Sequence, residues 1–160
     1  MDELDERLFK YIKQSLNSVY EKDPHLILNR SLEDKSNVDE YHVGERSIVF
    51  RFAHYLLNII DSDSELKKYD LDCEYNRNGS ECKALPAFPN GVYPDVIIHK
   101  RGRNDGNLAV IEFKTYWNSD ISNDEKKVKQ LTDKKGKYRY NCGYIVVLSR
   151  NYKDIEIKKY

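Results

Sequence analysis

At 160 residues, with 39% apolar and 34% charged side chains and no net charge, the chain reads as one soluble globular domain, not a simple nucleic-acid coat. No run approaches the ~18 uncharged apolar residues of a membrane span, and the mixed-charge start MDELDERLFKYIKQSLNSVY is the wrong chemistry for an export signal, so a cytoplasmic location is expected. The charge is unevenly spread, with 17 acids and 10 bases in residues 1–74 and the reverse in 75–160, which marks either a polyanion-facing side or two halves that attract one another.

Leu4, Leu8, Ile12, Leu16 and Val19 recur at helical spacing and predict an amphipathic helix over 3–20, ended by Asp23-Pro24. HLILNRSL reads as a short strand or extended arm. A second helix runs to about Ile60, starting either at a capping box of Asn37 and Glu40 or at Gly44, which a helix interior would not favour. Its apolar stripe comprises Ile48, Val49, Phe52, Tyr55, Leu56 and Ile59, and Glu45 lies one turn ahead on the same stripe. YDLDCEYNR is a strand candidate.

After a Pro- and Gly-bearing loop, Tyr93–Lys100 and Asn107–Tyr116 form two strands joined by the turn RGRNDGN. NDEKKVKQLTDKKGK is a polar helix ending near Gly136; CGYIVVLS suits an interior strand, and DIEIKKY an edge strand. The order describes an α/β domain with a mixed sheet flanked by helices. The cysteines Cys73, Cys82 and Cys142 are odd in number, without a CxxC pair, and with His42, His54 and His99 show no zinc-ligand spacing; buried thiols are expected.

Charges inside the two central strands demand compensation. In a hairpin, Asp95 and Glu112 reach the same face at the open end, with Lys114 one pleat beyond. Two carboxylates that close repel, one tends to protonate, and a divalent cation removes the conflict. Pro94-Asp95 and Glu112-Phe113-Lys114, with sixteen residues between Asp95 and Glu112, resemble the PD-(D/E)xK nuclease superfamily, in particular its small bacterial members. The resemblance covers roughly residues 44–149. It implies a restriction-endonuclease-like core over 37–160, with residues 1–36 as an N-terminal helical extension. Within it Asp95 and Glu112 would hold Mg²⁺, with Mn²⁺ as substitute, and the Phe113 carbonyl and Glu45 would contribute further. Lys114 would position the attacking water. Glu45 is equally well explained as an acid favoured by the helix dipole.

Substrate contacts are expected from Arg101 and Arg103 in the turn and from Lys126 and Lys127 in the basic run 126–139, unless these are only solvated faces. Tyr138, Tyr140 and Tyr144 either stack on bases or pack; Arg77, and His99 on the Asp95 face, either reach the site or hold rim positions without chemistry, the rim being the expected place for each. Gln130 and Tyr138 are spaced too widely for the glutamine–tyrosine motif of some superfamily members. The expected function is a metal-dependent nuclease acting on nucleic acid, DNA before RNA, with a homodimer or partner protein supplying specificity. The competing class is a non-catalytic binding or regulatory module on the same fold.

Overall fold

The computed structural model describes residues 3–28 and 42–160. Helix α1 spans Glu3–Lys22, and the short α2 spans Pro24–Leu28. The chain HLIL is therefore helical where an extended arm was expected; Pro24 takes the first helical position, where its fixed φ and missing N–H cost nothing. The remainder of that segment, and the capping box of Asn37 and Glu40, lie outside the described residues. Helix α3 (Glu45–Ser62) begins directly after Gly44, the later of the two starts.

Strand β1 is Asp70–Cys73. A small hairpin follows, β2 (Arg77–Asn78) and β3 (Glu81–Cys82), whose turn opens on Gly79 at φ 62, the positive value a tight hairpin requires. Then come β4 (Val96–His99), β5 (Ala109–Lys114), α4 (Ser122–Thr132), β6 (Cys142–Val147) and β7 (Glu156–Lys159). Single 3₁₀ turns at Leu66–Lys68 and Tyr152–Asp154 complete the path.

Five strands form one mixed sheet in the order β1-β4-β5-β6-β7. Only β5 and β6 run parallel, with α4 as their crossover. Both are almost wholly buried, as strands covered on two faces must be. Helices α1 and α3 pack one face through Leu8, Ile12, Phe52 and Leu56 against Val96, Ile98, Ile111 and Phe113. Helix α4 covers the other, Val128 and Leu131 meeting Ile97, Val110 and Ile145.

That close approach needs Gly143 on β6: a Cβ there would stand 2.4 Å from Val128 Cγ1 and 2.9 Å from Thr132 Cγ2. Helix α4 stops at Thr132, short of the expected Gly136, because Tyr140 N–H bonds the Leu131 carbonyl at 3.0 Å and residues 133–136 form a turn. Of the three free cysteines only Cys142 is buried; Cys73 and Cys82 are exposed, contrary to expectation. No helix among the described residues is long and apolar enough to cross a membrane.

Candidate active site

Antiparallel pairing of Val96 with Ile111 and Ile97 with Val110 sets Asp95 directly across from Glu112. Directly opposite residues share a face, with Cβ atoms ~4.5–5.5 Å apart. The strand entrance is fixed from the other side as well. Glu74, at φ 54, turns the chain out of β1 and donates its N–H to the Pro94 carbonyl at 2.9 Å. Asp95 Oδ2 accepts the Phe113 N–H at 2.7 Å, a bond that locks the acid beside the partner strand.

Glu112 is only 1% exposed. Its Oε2 accepts a hydrogen bond from Lys127 Nζ at 2.7 Å, while its Oε1 is buried with no hydrogen-bond partner among the described residues. Burial, and then the charge of Asp95, push the Glu112 carboxyl well above the usual glutamate range; Lys127 opposes them. Burial likewise raises Asp95, against the pull of the Phe113 N–H and Lys127.

Lys114 lies one pleat on from Glu112, and its Nζ stands 3.0 Å from Asp124 Oδ2. Burial disfavours this ammonium, but its bond and charge interaction with Asp124, with Glu45 and Asp95 beyond, hold it above the ordinary lysine range. Lys127 follows the same logic: burial works against it, and the Glu112 and Asp124 carboxylates more than offset that. Glu45 enters from the first turn of α3. Burial pushes it up to about 7; Lys114 pulls it down and Asp95 raises it, and its Oε2 is buried without a partner among the described residues.

Four carboxylates (Glu45, Asp95, Glu112, Asp124) thus face two ammonium groups, leaving two negative charges uncompensated when all are ionised. Hard oxygen donors with that residual charge suit a divalent cation. The fit is partial. Among the described residues no three His, Cys, Asp or Glu side chains converge closely enough to hold a metal ion, so Glu45 and Glu112 each sense the charge of Asp95 without the three forming one ligand set. The physical reason is visible: Phe113 N–H holds one Asp95 oxygen and Lys127 holds one Glu112 oxygen. A two-carboxylate site completed by water remains, the ordinary pattern for Mg²⁺.

The sequence brought Asp95, Glu112, Lys114 and Glu45 to this end of the sheet, and the structure adds Asp124 and Lys127. Lys127, expected to face phosphates, turns inward onto Glu112, with a side chain 15% exposed. Asp124 shares the buried stripe of α4 with Val128 and Leu131, at positions i, i+4 and i+7. A charge on that stripe was the legible signal.

The other expected contacts lie elsewhere. Arg101 is spent on Asp72, at 2.8 and 2.6 Å, and Arg103 on Asp105; Lys126 is exposed and has no such pair among the described residues. His99 bonds Asp72 at 2.8 Å, at the far end of β4 from Asp95. Tyr138, Tyr140 and Tyr144 are buried and pack: Tyr138 bonds both backbone groups of Ala84 at 3.0 Å, and Tyr144 stacks on Phe9. Gln130 accepts the Ala87 N–H at 3.1 Å. Arg77 lies on the small hairpin with His99, Asn78 and Lys83 around one cleft. No family model matches the chain, and no curated protein or solved structure does either.

Proposed function

We propose that the chain is a metal-dependent nuclease with a restriction-endonuclease-like core, hydrolysing phosphodiester bonds in nucleic acid, DNA before RNA. One observation carries the reading: Asp95 and Glu112 stand opposite one another across an antiparallel pair, and Glu112, at 1% exposure, keeps one buried oxygen without a partner among the described residues. A buried carboxylate oxygen left open is costly, and a bound cation is one way to offset it.

Glu112 Oε1 and the Asp95 oxygen not engaged by Phe113 would hold Mg²⁺ or Mn²⁺, with water and substrate completing the shell. An ion held there would supply polarisation of the scissile phosphate and charge stabilisation for an in-line displacement. Lys114, kept charged by Asp124, orients the attacking water and faces the negative charge gathering on the phosphate. Glu45, at about 7, is poised to accept a proton at neutral pH, directly or through water. Lys127 stays on Glu112 Oε2 and favours the charged form of a carboxyl that burial raises.

The surface beside the pair suits a nucleic acid. Arg46, next to Glu45, has a side chain 85% exposed and pairs at the surface with Glu74 at 3.1 Å, and Tyr93, two residues before Asp95, is 53% exposed, so a cation that a phosphate would have to draw from Glu74 and a stacking ring border one cleft. A second copy or a partner protein would supply specificity, and a cytoplasmic location goes with this role.

The test is incubation with plasmid, linear duplex and single-stranded substrates, in Mg²⁺ or EDTA. Cleavage is expected in Mg²⁺ alone, and it disappears in Asp95→Ala and Lys114→Ala while circular dichroism stays native. Undiminished cleavage by either variant rejects the assignment. A non-catalytic module is favoured by one observation, that Lys127 already compensates Glu112 at 2.7 Å. Calorimetric titration with Mg²⁺ separates the two: no binding to the intact protein supports the module.

A further inference from the structure

A second cluster lies on the same face of the sheet, at the opposite end of β4 from Asp95, about 13 Å along the strand at ~3.3 Å per residue. Lys83, directly after β3, is 1% exposed. Its backbone is pinned on both sides: Val92 N–H bonds the Lys83 carbonyl at 2.7 Å, and the next residue, Ala84, donates its N–H to Tyr138 Oη at 3.0 Å. The Lys83 ammonium sits 4.6 Å from the Tyr138 ring centre and 3.3 Å from Tyr140 Oη.

No carboxylate pairs with Lys83 among the described residues. An ammonium has three donors, and the Tyr140 hydroxyl uses one. A buried charge in that condition calls for an anion or ordered water. Burial alone holds this lysine down at about 8. Nothing in the nuclease reading uses it.

The lysine lines a polar cavity of about 230 Å³. The small hairpin supplies Arg77 and Asn78 to its wall, and the β4–β5 turn supplies Arg103 and Asn104. A bond of 2.8 Å from Asn104 Nδ2 to Asn78 Oδ1 ties the two turns together as one rim. Arg77 has no ion pair among the described residues, whereas Arg103 is shared with Asp105. His99 lines the cavity too, but its Nε2 is engaged by Asp72. No carboxylate among the described residues lines this cavity. The space is smaller than a drug-sized pocket and larger than a single water needs.

We propose that this cavity is an oxyanion site in which Lys83 and Arg77 together bind a phosphate group. Amide donors of Asn78 and Asn104 lie at the rim to complete its hydrogen bonds. The phosphate belongs either to a free small molecule or to a nucleic-acid strand, and the two sources are separable by experiment. The proposal stands whether or not Asp95 and Glu112 bind a metal.

The full chain is titrated calorimetrically in metal-free buffer with inorganic phosphate. Separate titrations use one oligonucleotide with and without a 5′-phosphate. Saturable phosphate binding is expected, weakened roughly tenfold or more in Lys83→Met and in Arg77→Ala, the usual effect of losing a charged hydrogen bond. Arg77 is exposed, so its variant keeps the test valid should Lys83→Met fail to fold. Oligonucleotide binding that needs the 5′-phosphate and is displaced by inorganic phosphate assigns the site to a strand end; inorganic phosphate binding alone assigns it to a free phosphate. Absence of saturable phosphate binding, or binding unchanged in Arg77→Ala, overturns the proposal.

Discussion

Replacing Lys127 by methionine removes the cation that stands 2.7 Å from a carboxylate with 1% exposure. Glu112 cannot remain charged there alone, and its escape is to take a proton. Holding protonated at pH 7 a group whose ordinary value is 4.5 spans about 2.5 pH units. At ~1.4 kcal/mol each, this sets a ceiling of about 3.5 kcal/mol. Burial and the Asp95 charge already hold Glu112 well above the usual glutamate range with Lys127 in place, so the loss falls below that ceiling and is set by the charged hydrogen bond removed, about 1–3 kcal/mol. For a chain of this length that lowers Tm by roughly 2–12 °C.

The sign of the pH dependence follows. A carboxyl raised in the folded state leaves stability intact below pH 4.5 and removes it as pH rises. Glu112 is raised in both proteins, so the gap between Lys127→Met and the unaltered protein is smallest at acid pH, where Glu112 is protonated in each, and widens as pH rises. Differential scanning calorimetry across that range reads it, and Glu112→Gln in the same chain should cancel most of the loss. A loss below about 1 kcal/mol that does not vary with pH would refute the claim that Lys127 compensates Glu112. Mg²⁺ should also raise the Tm of Lys127→Met more than that of the unaltered protein, because the ion meets a carboxylate with no other partner.

Glu45→Gln should flatten the stability profile between pH 4.5 and 7, since a folded-state value of about 7 makes Glu45 a group that loses stability as it ionises; an unchanged profile means Glu45 is not held up by burial. Gly143→Ala should cost about 1–3 kcal/mol, because its Cβ would meet Val128 Cγ1 at 2.4 Å and lift α4 from the sheet. Asp124 and Lys127 ride on that helix, so metal affinity should fall with stability; a variant as stable as the parent by urea titration would remove the packing argument.

The pairing of Asp95 with Glu112 was legible because strand alternation and one turn determine register locally: RGRNDGN closes the hairpin, and all else follows by counting. Helix α3 was legible from its apolar stripe, and the interior and edge characters of β6 and β7 from the apolar run CGYIVVLS and the charges of DIEIKKY. Partners that come from packing were not legible. Lys127 has the composition of a solvated helix face, and only docking of α4 over Gly143 turns it onto Glu112. Arg101 looked free because its acid, Asp72, is brought by the fold from 29 residues away, whereas Asp105 stands two residues from Arg103 in the same turn and was within reach of a local reading. HLIL has strand-like composition, yet Pro24 at its start and burial of Ile27 against the helical layer make it a turn of helix.

Titration with Mn²⁺, followed by electron paramagnetic resonance of the free ion, addresses the Asp95–Glu112 pair most directly. One ion bound per chain is expected, retained in Lys83→Met and lost in both Asp95→Asn and Glu112→Gln. No binding at millimolar Mn²⁺, or binding that survives both substitutions, would contradict it.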